Sequence, residues 1–437
     1  MSEPRHIRTT SNSDNHSGER KVHRSTAQSA DTRHVRNAEH AQSTQPHAGR
    51  RRKKKTPMWL PFVVVLGVIV VLGGAAIAVV MGYASSIMDA VHDDNAASIA
   101  QEVQTLEAYK GDVANILICG IDYEEGRSYG SSNDGLSNDG MTDMIMYFQF
   151  DLKNSKVNML QIPRNTVVGK TVTCSSTTGK TYKASNGQIN SIMKSNSDGM
   201  AALADVIANN YKLPVDHYAT MDMDGLKELV NRYGGVDCYI PTTISYNGST
   251  LEQGYHRLMG DQVEFLVRDR HSYADGDISR MNMQRYFYSA LFKKVRTENL
   301  AGLVKAMPVI TYFVKTDMDL TTCVQLAYAF LSVDSADIMI AQTPVYTAAE
   351  YYEGNSVIIP ARAEIASLLN TYYREYTGQV DASSLNLKDD LATVGSPTSA
   401  NVQMVGQLDA EANAAIEAGQ TDLPDAYTTD NAPSVPQ

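Results

Sequence analysis

Between Met58 and Met81 the chain runs for 24 residues without a charge, MWLPFVVVLGVIVVLGGAAIAVVM. As a helix rising about 1.5 Å per residue, that stretch reaches roughly 36 Å, enough to cross a bilayer. Buried core helices seldom run this far without a polar face, and a cleaved secretory signal has neither so long a leader nor so long an apolar run. Six consecutive cations, Arg50 to Lys55, lie against its start, and Asp89, Asp93 and Asp94 follow its end. The positive flank stays in the cytoplasm. A signal-anchor in the cell membrane is therefore expected, single-pass, with the amino terminus cytoplasmic and most of the chain extracytoplasmic.

The charge divides at the same place. Residues 1–57 carry 13 Lys and Arg against 5 Asp and Glu, a balance of +8, and the remaining 380 residues carry −19 of the overall −11. Residues 1–57 hold almost no large apolar side chains to offset their ordering entropy, so a disordered basic cytoplasmic tail is expected there. The acidic remainder would repel a phosphate polymer except at a local basic pocket, so no nucleic acid is expected as partner. Residues 82–110 space Ile87, Val91, Ile99, Val103 and Leu106 at near-helical intervals, which predicts a stalk helix. The folded domain is expected over 111–380, and the Ala-, Asp-, Thr- and Pro-rich stretch 381–437 as a disordered acidic extracytoplasmic tail.

Within that domain, Val113–Cys119, Met144–Asp151 and Lys156–Ile162 read as three strands forming the sheet centre. A helix follows over Asn190–Tyr211, a strand over Asp216–Asp222, a helix over Asp224–Tyr233, a Gly234-Gly235 turn, and a strand over Val236–Ile240. Helical patterns dominate 261–331, and Asp337–Thr343 reads as a late strand. Alternating strands and helices around a central sheet point to an α/β domain. Among the four cysteines, Cys119, Cys238 and Cys323 fall on predicted elements and read as buried thiols. Cys174 lies in a loop, and an extracytoplasmic setting permits disulfides.

Two groups of residues carry chemistry. Asp122 follows the first strand and Asp143 opens the second; strand ends can bring two carboxylates together around a hard divalent cation, Mg²⁺ or Mn²⁺, although an aspartate after a strand also serves as a turn residue bonding its own backbone. Arg164 ends the third strand, and Arg268, Arg270 and Arg280 follow in Val267-Arg268-Asp269-Arg270 and Asp277-Ile278-Ser279-Arg280. Guanidinium groups grip phosphate through paired charge-assisted hydrogen bonds; the same residues could equally form surface ion pairs with Asp269 and Asp277. If a helix starts at Ile278 with Asp277 as its cap, Arg280 and Gln284 lie one turn apart on one face, near a positive helix end.

Gly120-Ile121-Asp122, Thr142-Asp143, IPRNT at 162–166, DHYATMDMDGLKELVNRYGGVDCYIP at 216–241, and VRDR with DISRMNMQR at 267–285 together resemble the LytR-CpsA-Psr family, over a motif core of 113–345. The resemblance implies a three-layer α/β/α extracytoplasmic domain with a central mixed sheet, preceded by one transmembrane helix. It implies transfer of a glycopolymer, teichoic acid among them, from a polyprenyl-pyrophosphate carrier to peptidoglycan through a phosphodiester link in cell-wall assembly. The enzyme class would be a phosphoglycosyl transferase. Metal ligands would be Asp122 and Asp143, and pyrophosphate ligands Arg164, Arg268, Arg270, Arg280 and Gln284, with Arg285 supplying a further charge. Arg164, Arg280, Asp122 and Asp143 are then the catalytic candidates. The chain departs from the family pattern at Met141, at Asn165, and at Met283 with Arg285. Two alternatives are a polyprenyl-pyrophosphate hydrolase, with water as acceptor, and a non-catalytic receptor for the lipid carrier.

Overall fold

The computed structural model describes residues 112–121, 140–246, 248–273 and 276–420. The expected basic tail, apolar span and stalk over 1–110 lie outside the described residues, and among the described residues no helix is long and apolar enough to cross a membrane.

The three expected strands form an antiparallel meander, β1 (Val113–Ile121), β2 (Thr142–Asp151) and β3 (Lys156–Gln161). β4 (His217–Asp222) runs parallel to β1, and β5 (Val314–Thr316) closes that edge antiparallel to β4. On the other side β6 (Ile338–Gln342) runs parallel to β3 and β7 (Gln403–Met404) antiparallel to β6. The result is a seven-stranded mixed sheet ordered β5-β4-β1-β2-β3-β6-β7.

Seven helices longer than a single turn accompany it among the described residues: α1 (Met200–Tyr211), α2 (Met223–Arg232), α3 (Gly260–Arg268), α4 (Asp277–Phe313), α5 (Leu320–Leu331), α6 (Arg362–Tyr372) and α7 (Val405–Glu417). Side chains alternate across a strand, so each strand feeds two cores. Leu117, Cys119, Ile145, Tyr147 and Leu160 pack with α1 and α6 on one face. Met146, Phe150, Val157, Met159, Ile338 and Ile340 pack on the other with Val405 and Leu408 of α7. The sheet is thus a middle layer between helices, as the three-layer expectation requires.

Three expectations change in detail. The helix expected over Asn190–Tyr211 breaks into a 3₁₀ turn at Ile189–Ser191, a single turn at Ile192–Ser195, and α1. The Asn196 amide ends that first turn by donating to the carbonyls of Ile192 at 2.8 Å and Lys183 at 2.9 Å. Helical patterning over 261–331 resolves into α3, α4 and α5 with β5 between, because Asp317 and Thr316 bond the Tyr218 backbone at 2.7 and 2.6 Å and hold β5 on the edge of β4. The strand expected over Val236–Ile240 is present with those bounds and pairs with Gly254–Leu258 away from the central sheet. The Gly235 leading into it has φ +91°, and a Cβ there would meet Arg257 Cγ at 2.9 Å, so only glycine fits this turn.

The third change is the largest. Residues 381–420 were expected to lack structure, yet they form a 3₁₀ turn at Ala382–Ser384, the edge strand β7 and helix α7. Average composition concealed a helix needing only Val405, Leu408 and Ala415 as buried anchors. Arginines tie the segment down: Arg362 donates to the Asp389 carboxylate at 2.6 Å and to the carbonyls of Leu385 and Leu387. Residues 421–437 of that expected tail lie outside the described residues. All four cysteines are free, Cys174 buried like Cys119 and Cys238.

Candidate active site

Near the upper end of β1 and β2 the register slips: Gly120 faces Met144 and Ile121 faces Thr142, so Asp143 opposes no residue. Strict alternation would put Asp143 on the face of Ile145 and Tyr147, against α1. A one-residue bulge re-aims the side chain, and Asp143 lines a cavity on the opposite side of the sheet together with Met144. Arg164, in the turn three residues past β3, has its backbone fixed by Asn190 N donating to its carbonyl at 3.2 Å. Its side chain bridges two carboxylates, Nη1 to Asp143 Oδ2 at 2.8 Å and Nε to Asp277 Oδ2 at 3.2 Å.

Asp277 is the first residue of α4, where a carboxylate suits the positive helix end. One turn on, Arg280 gives its Nε to Asp277 Oδ1 at 3.2 Å and its Nη1 to the carbonyls of Val267 at 3.3 Å and Asp143 at 3.4 Å. Another turn on, Gln284 Nε2 reaches the same Val267 carbonyl at 2.8 Å. The expected common face of Arg280 and Gln284 is present, and both residues are buried.

These contacts set the charge states. Burial draws the Arg164 guanidinium's pKa down, but Asp143 and Asp277 more than reverse it, leaving Arg164 above the ordinary arginine value. Burial dominates at Arg280, which stays below that value with Asp277 opposing the shift. Burial alone would raise Asp277; the charges of Arg164 and Arg280 and the Arg164 hydrogen bond hold it below the usual carboxylate range. A carboxyl whose folded value is depressed contributes stability that is complete above its unfolded value near 3.9 and is lost as pH falls through the folded value. The acid limb of a pH–stability curve is therefore expected to flatten in Asp277→Asn, while stability at pH 7 drops by about 1–3 kcal/mol. Denaturant midpoints measured from pH 7 down to pH 2 would show whether it does.

Arg268 and Arg270 also line the cavity, Arg268 donating to Glu264 Oε1 at 3.2 Å and Arg270 exposed. Asp269 between them is buried, with Oδ1 accepting the His271 amide at 3.1 Å and Oδ2 without a hydrogen-bond partner. Asp122 lies outside the described residues; Ile121, the residue before it, lines the cavity. Arg285 is not at the mouth. One position past Gln284 it turns about 100° around the helix, is fully buried, and donates Nε to Gln161 Oε1 at 2.7 Å and Nη1 to Gln403 Oε1 at 2.9 Å and to the Asn401 carbonyl. Its expected place among the pyrophosphate ligands is corrected accordingly: it pins β7 to β3.

The cavity, about 710 Å³, lies between the sheet and helices α2, α3 and α4 and has two kinds of lining. Asp143, Arg164, Arg268, Arg270, Arg280 and Gln284 supply polar groups, and Met144, Met146, Phe148, Met159, Met221, Leu226, Phe265, Leu291 and Phe292 supply apolar surface. Sequence reading assigned none of these apolar residues, although the period-two Met144, Met146, Phe148 is visible once the facing helices are known. Of the three family departures, Met141 and Met283 are buried and line no part of the cavity, and the carbonyl of Asn165 accepts the Ile358 amide at 3.1 Å.

No group of three or more His, Cys, Asp or Glu able to hold a metal occurs among the described residues. Mg²⁺ uses one or two carboxylates and fills its remaining positions with water and phosphate oxygens. Asp143, whose side chain is 29% exposed at the mouth, fits that donor set.

Over the central strands β4, β1, β2 and β3, one cavity thus gathers guanidinium groups and apolar side chains. The LytR_cpsA_psr family model matches residues 80–374, and the chain belongs to that family. It is 26% identical over 299 residues to the polyisoprenyl-teichoic acid–peptidoglycan teichoic acid transferase TagU of Bacillus anthracis, covering 66% of this chain and 88% of the relative. It is 26% identical over 332 residues to the corresponding transferase TagV of Bacillus subtilis, covering 74% and 75%. Against the crystal structure of Bacillus subtilis TagV the TM-score is 0.47 at 22% identity, covering 60% of this chain and 96% of that one.

Proposed function

We propose that the protein transfers a glycopolymer from a polyprenyl-pyrophosphate carrier to peptidoglycan at the outer face of the cell membrane, anchored by residues 58–81. One observation carries this reading: a single cavity is lined both by four arginines and by methionine and phenylalanine side chains. A diphosphate bearing an isoprenoid tail matches each part in turn, the tail displacing water from apolar surface and the phosphates meeting guanidinium groups. The curated relatives are named as acting on polyisoprenyl-linked teichoic acid and peptidoglycan.

The reaction asks for charge neutralisation and positioning more than for covalent participation. An acceptor hydroxyl loses its proton, its oxygen bonds to the glycan-bearing phosphorus, and the bridging P–O bond breaks to release polyprenyl phosphate. Arg164 and Arg280, fixed by Asp277, would face the phosphate oxygens where negative charge builds; Arg268 and Arg270 would close the mouth over them. The lining also carries five acidic side chains, Asp143, Asp222, Asp261, Glu264 and Asp269, so the mouth does not suit a bare anion. It suits one accompanied by a divalent cation, which Asp143, with Asp122 as the partner the family resemblance supplies, would hold. Bound there, Mg²⁺ or Mn²⁺ would act as a Lewis acid on a phosphate oxygen.

Stripping divalent cations from the purified full chain is expected to lower transfer at least about 100-fold, with recovery on adding Mg²⁺ or Mn²⁺. The assay follows labelled glycan from a polyprenyl-diphosphate donor onto peptidoglycan. An unchanged rate in chelator would remove the metal from the reading, and release of free glycan phosphate irrespective of peptidoglycan would make the chain a hydrolase instead.

A further inference from the structure

Ile244–Tyr246 and Ser249–Leu251 form a short antiparallel hairpin, and two serine contacts fasten it to the loop that follows α3. Ser245 N donates to Ser272 Oγ at 3.0 Å, and that hydroxyl donates back to the Ser245 carbonyl at 3.1 Å. The clamp lays Tyr246 flat on His271, ring centroids 4.1 Å apart and planes 11° from parallel. Both rings line the cavity beside Arg268 and Arg270. Tyr246 nonetheless stays 40% exposed, and His271 is exposed as well.

Aromatic pairs on their own prefer offset or edge-to-face arrangements, so the hairpin clamp sets this geometry. A parallel stack uses one face of each ring and leaves the other. It buries little here and belongs to none of the hydrophobic clusters of the fold. An apolar ring face in a cavity that also holds Arg268 and Arg270 is a surface that a sugar ring can use: C–H bonds on one side of the pyranose pack on the aromatic, and its hydroxyls can bond the cavity's charged donors.

We propose that the Tyr246–His271 stack is a sugar subsite, the platform for a pyranose next to the diphosphate. The inference rests on the proposed reading of the cavity, because the arginines fix where the diphosphate ends and the sugar begins. The ring could belong to the carrier-linked glycan or to the peptidoglycan acceptor, which share this chemistry.

The test uses the full chain in detergent, with polyprenyl diphosphate and the same lipid bearing its glycan as probes, followed by transfer kinetics against both substrates. In Tyr246→Ala, binding of the glycan-bearing lipid is expected to weaken about tenfold, while the sugar-free lipid binds within about twofold of wild type and Tyr246→Trp restores affinity. If donor binding holds but KM for peptidoglycan rises about tenfold, the stack serves the acceptor sugar and the proposal stands. Equal losses for both lipids, or no change in either affinity or either KM, overturn it while leaving the proposed function intact. A wild-type chain that binds neither lipid overturns both. An unchanged melting temperature in Tyr246→Ala would confirm that a folded protein is being compared.

Discussion

Replacing Arg164 with alanine is expected to lower the proposed transfer by roughly 10²- to 10⁴-fold. Two charge-assisted hydrogen bonds to phosphate, each contributing about 1.5–3 kcal/mol, would be lost, and each 1.4 kcal/mol is a factor of ten. The damage extends past the missing contact. Arg164 separates the carboxylates of Asp143 and Asp277; without it both face the incoming diphosphate, and only Asp277 keeps a guanidinium, that of Arg280. Those side chains are 29% and 13% exposed, so an estimate of about 1–3 kcal/mol for the stability loss follows, less than for a fully buried pair. Arg164→Lys keeps the charge but cannot span both carboxylates with a planar fork, and about a tenth of the activity or less is expected to remain. Donor binding and transfer, measured beside a thermal melt, separate these effects. A folded Arg164→Ala retaining activity within tenfold of wild type would remove this arginine from the mechanism.

Arg164 also shows where sequence reading stops. The central strands and the common face of Arg280 and Gln284 were readable because periods of two and 3.6 are local properties of the chain. The contact between Arg164 and Asp277 joins residues 113 apart in sequence, and no spacing rule reaches that far. The bulge that turns Asp143 toward the cavity is a matter of register between strands, invisible in either strand alone. Met144, Met146 and Phe148 read as ordinary core-facing residues; whether a facing helix covers them or stands off to leave a chamber is decided by α2, α3 and α4, which arrive 75 or more residues later. Composition misled over 381–420 for a related reason: tertiary partners from distant elements, Arg285 and Arg362 among them, hold a segment whose buried apolar residues, Leu385, Leu387, Val405, Leu408 and Ala415, are scattered along it.

Arg285→Ala should therefore behave unlike the substitution at Arg164, destabilising the domain by about 3–5 kcal/mol while leaving ligand affinity within a few-fold of wild type. Several neutral oxygens, Gln161 Oε1, Gln403 Oε1 and the Asn401 carbonyl, accept its hydrogen bonds, and burial pulls its pKa down to about 10. A buried cation held this way is costly to keep, so two effects oppose each other on its removal. Relief of desolvation favours the variant; orphaned acceptors and an unfilled space oppose it. Gln161 is buried and Nη1 contacts two residues of the 401–403 stretch, so the orphaned acceptors dominate. Arg285→Met, which keeps most of the volume, isolates the hydrogen-bond share and is expected to cost about 1–3 kcal/mol. Because the guanidinium ties β7 in place, both variants should also be cut faster by protease within 395–420. Denaturant unfolding, limited proteolysis and lipid binding on the same preparations provide the comparison: loss of lipid binding at unchanged stability would return Arg285 to the mouth of the cavity.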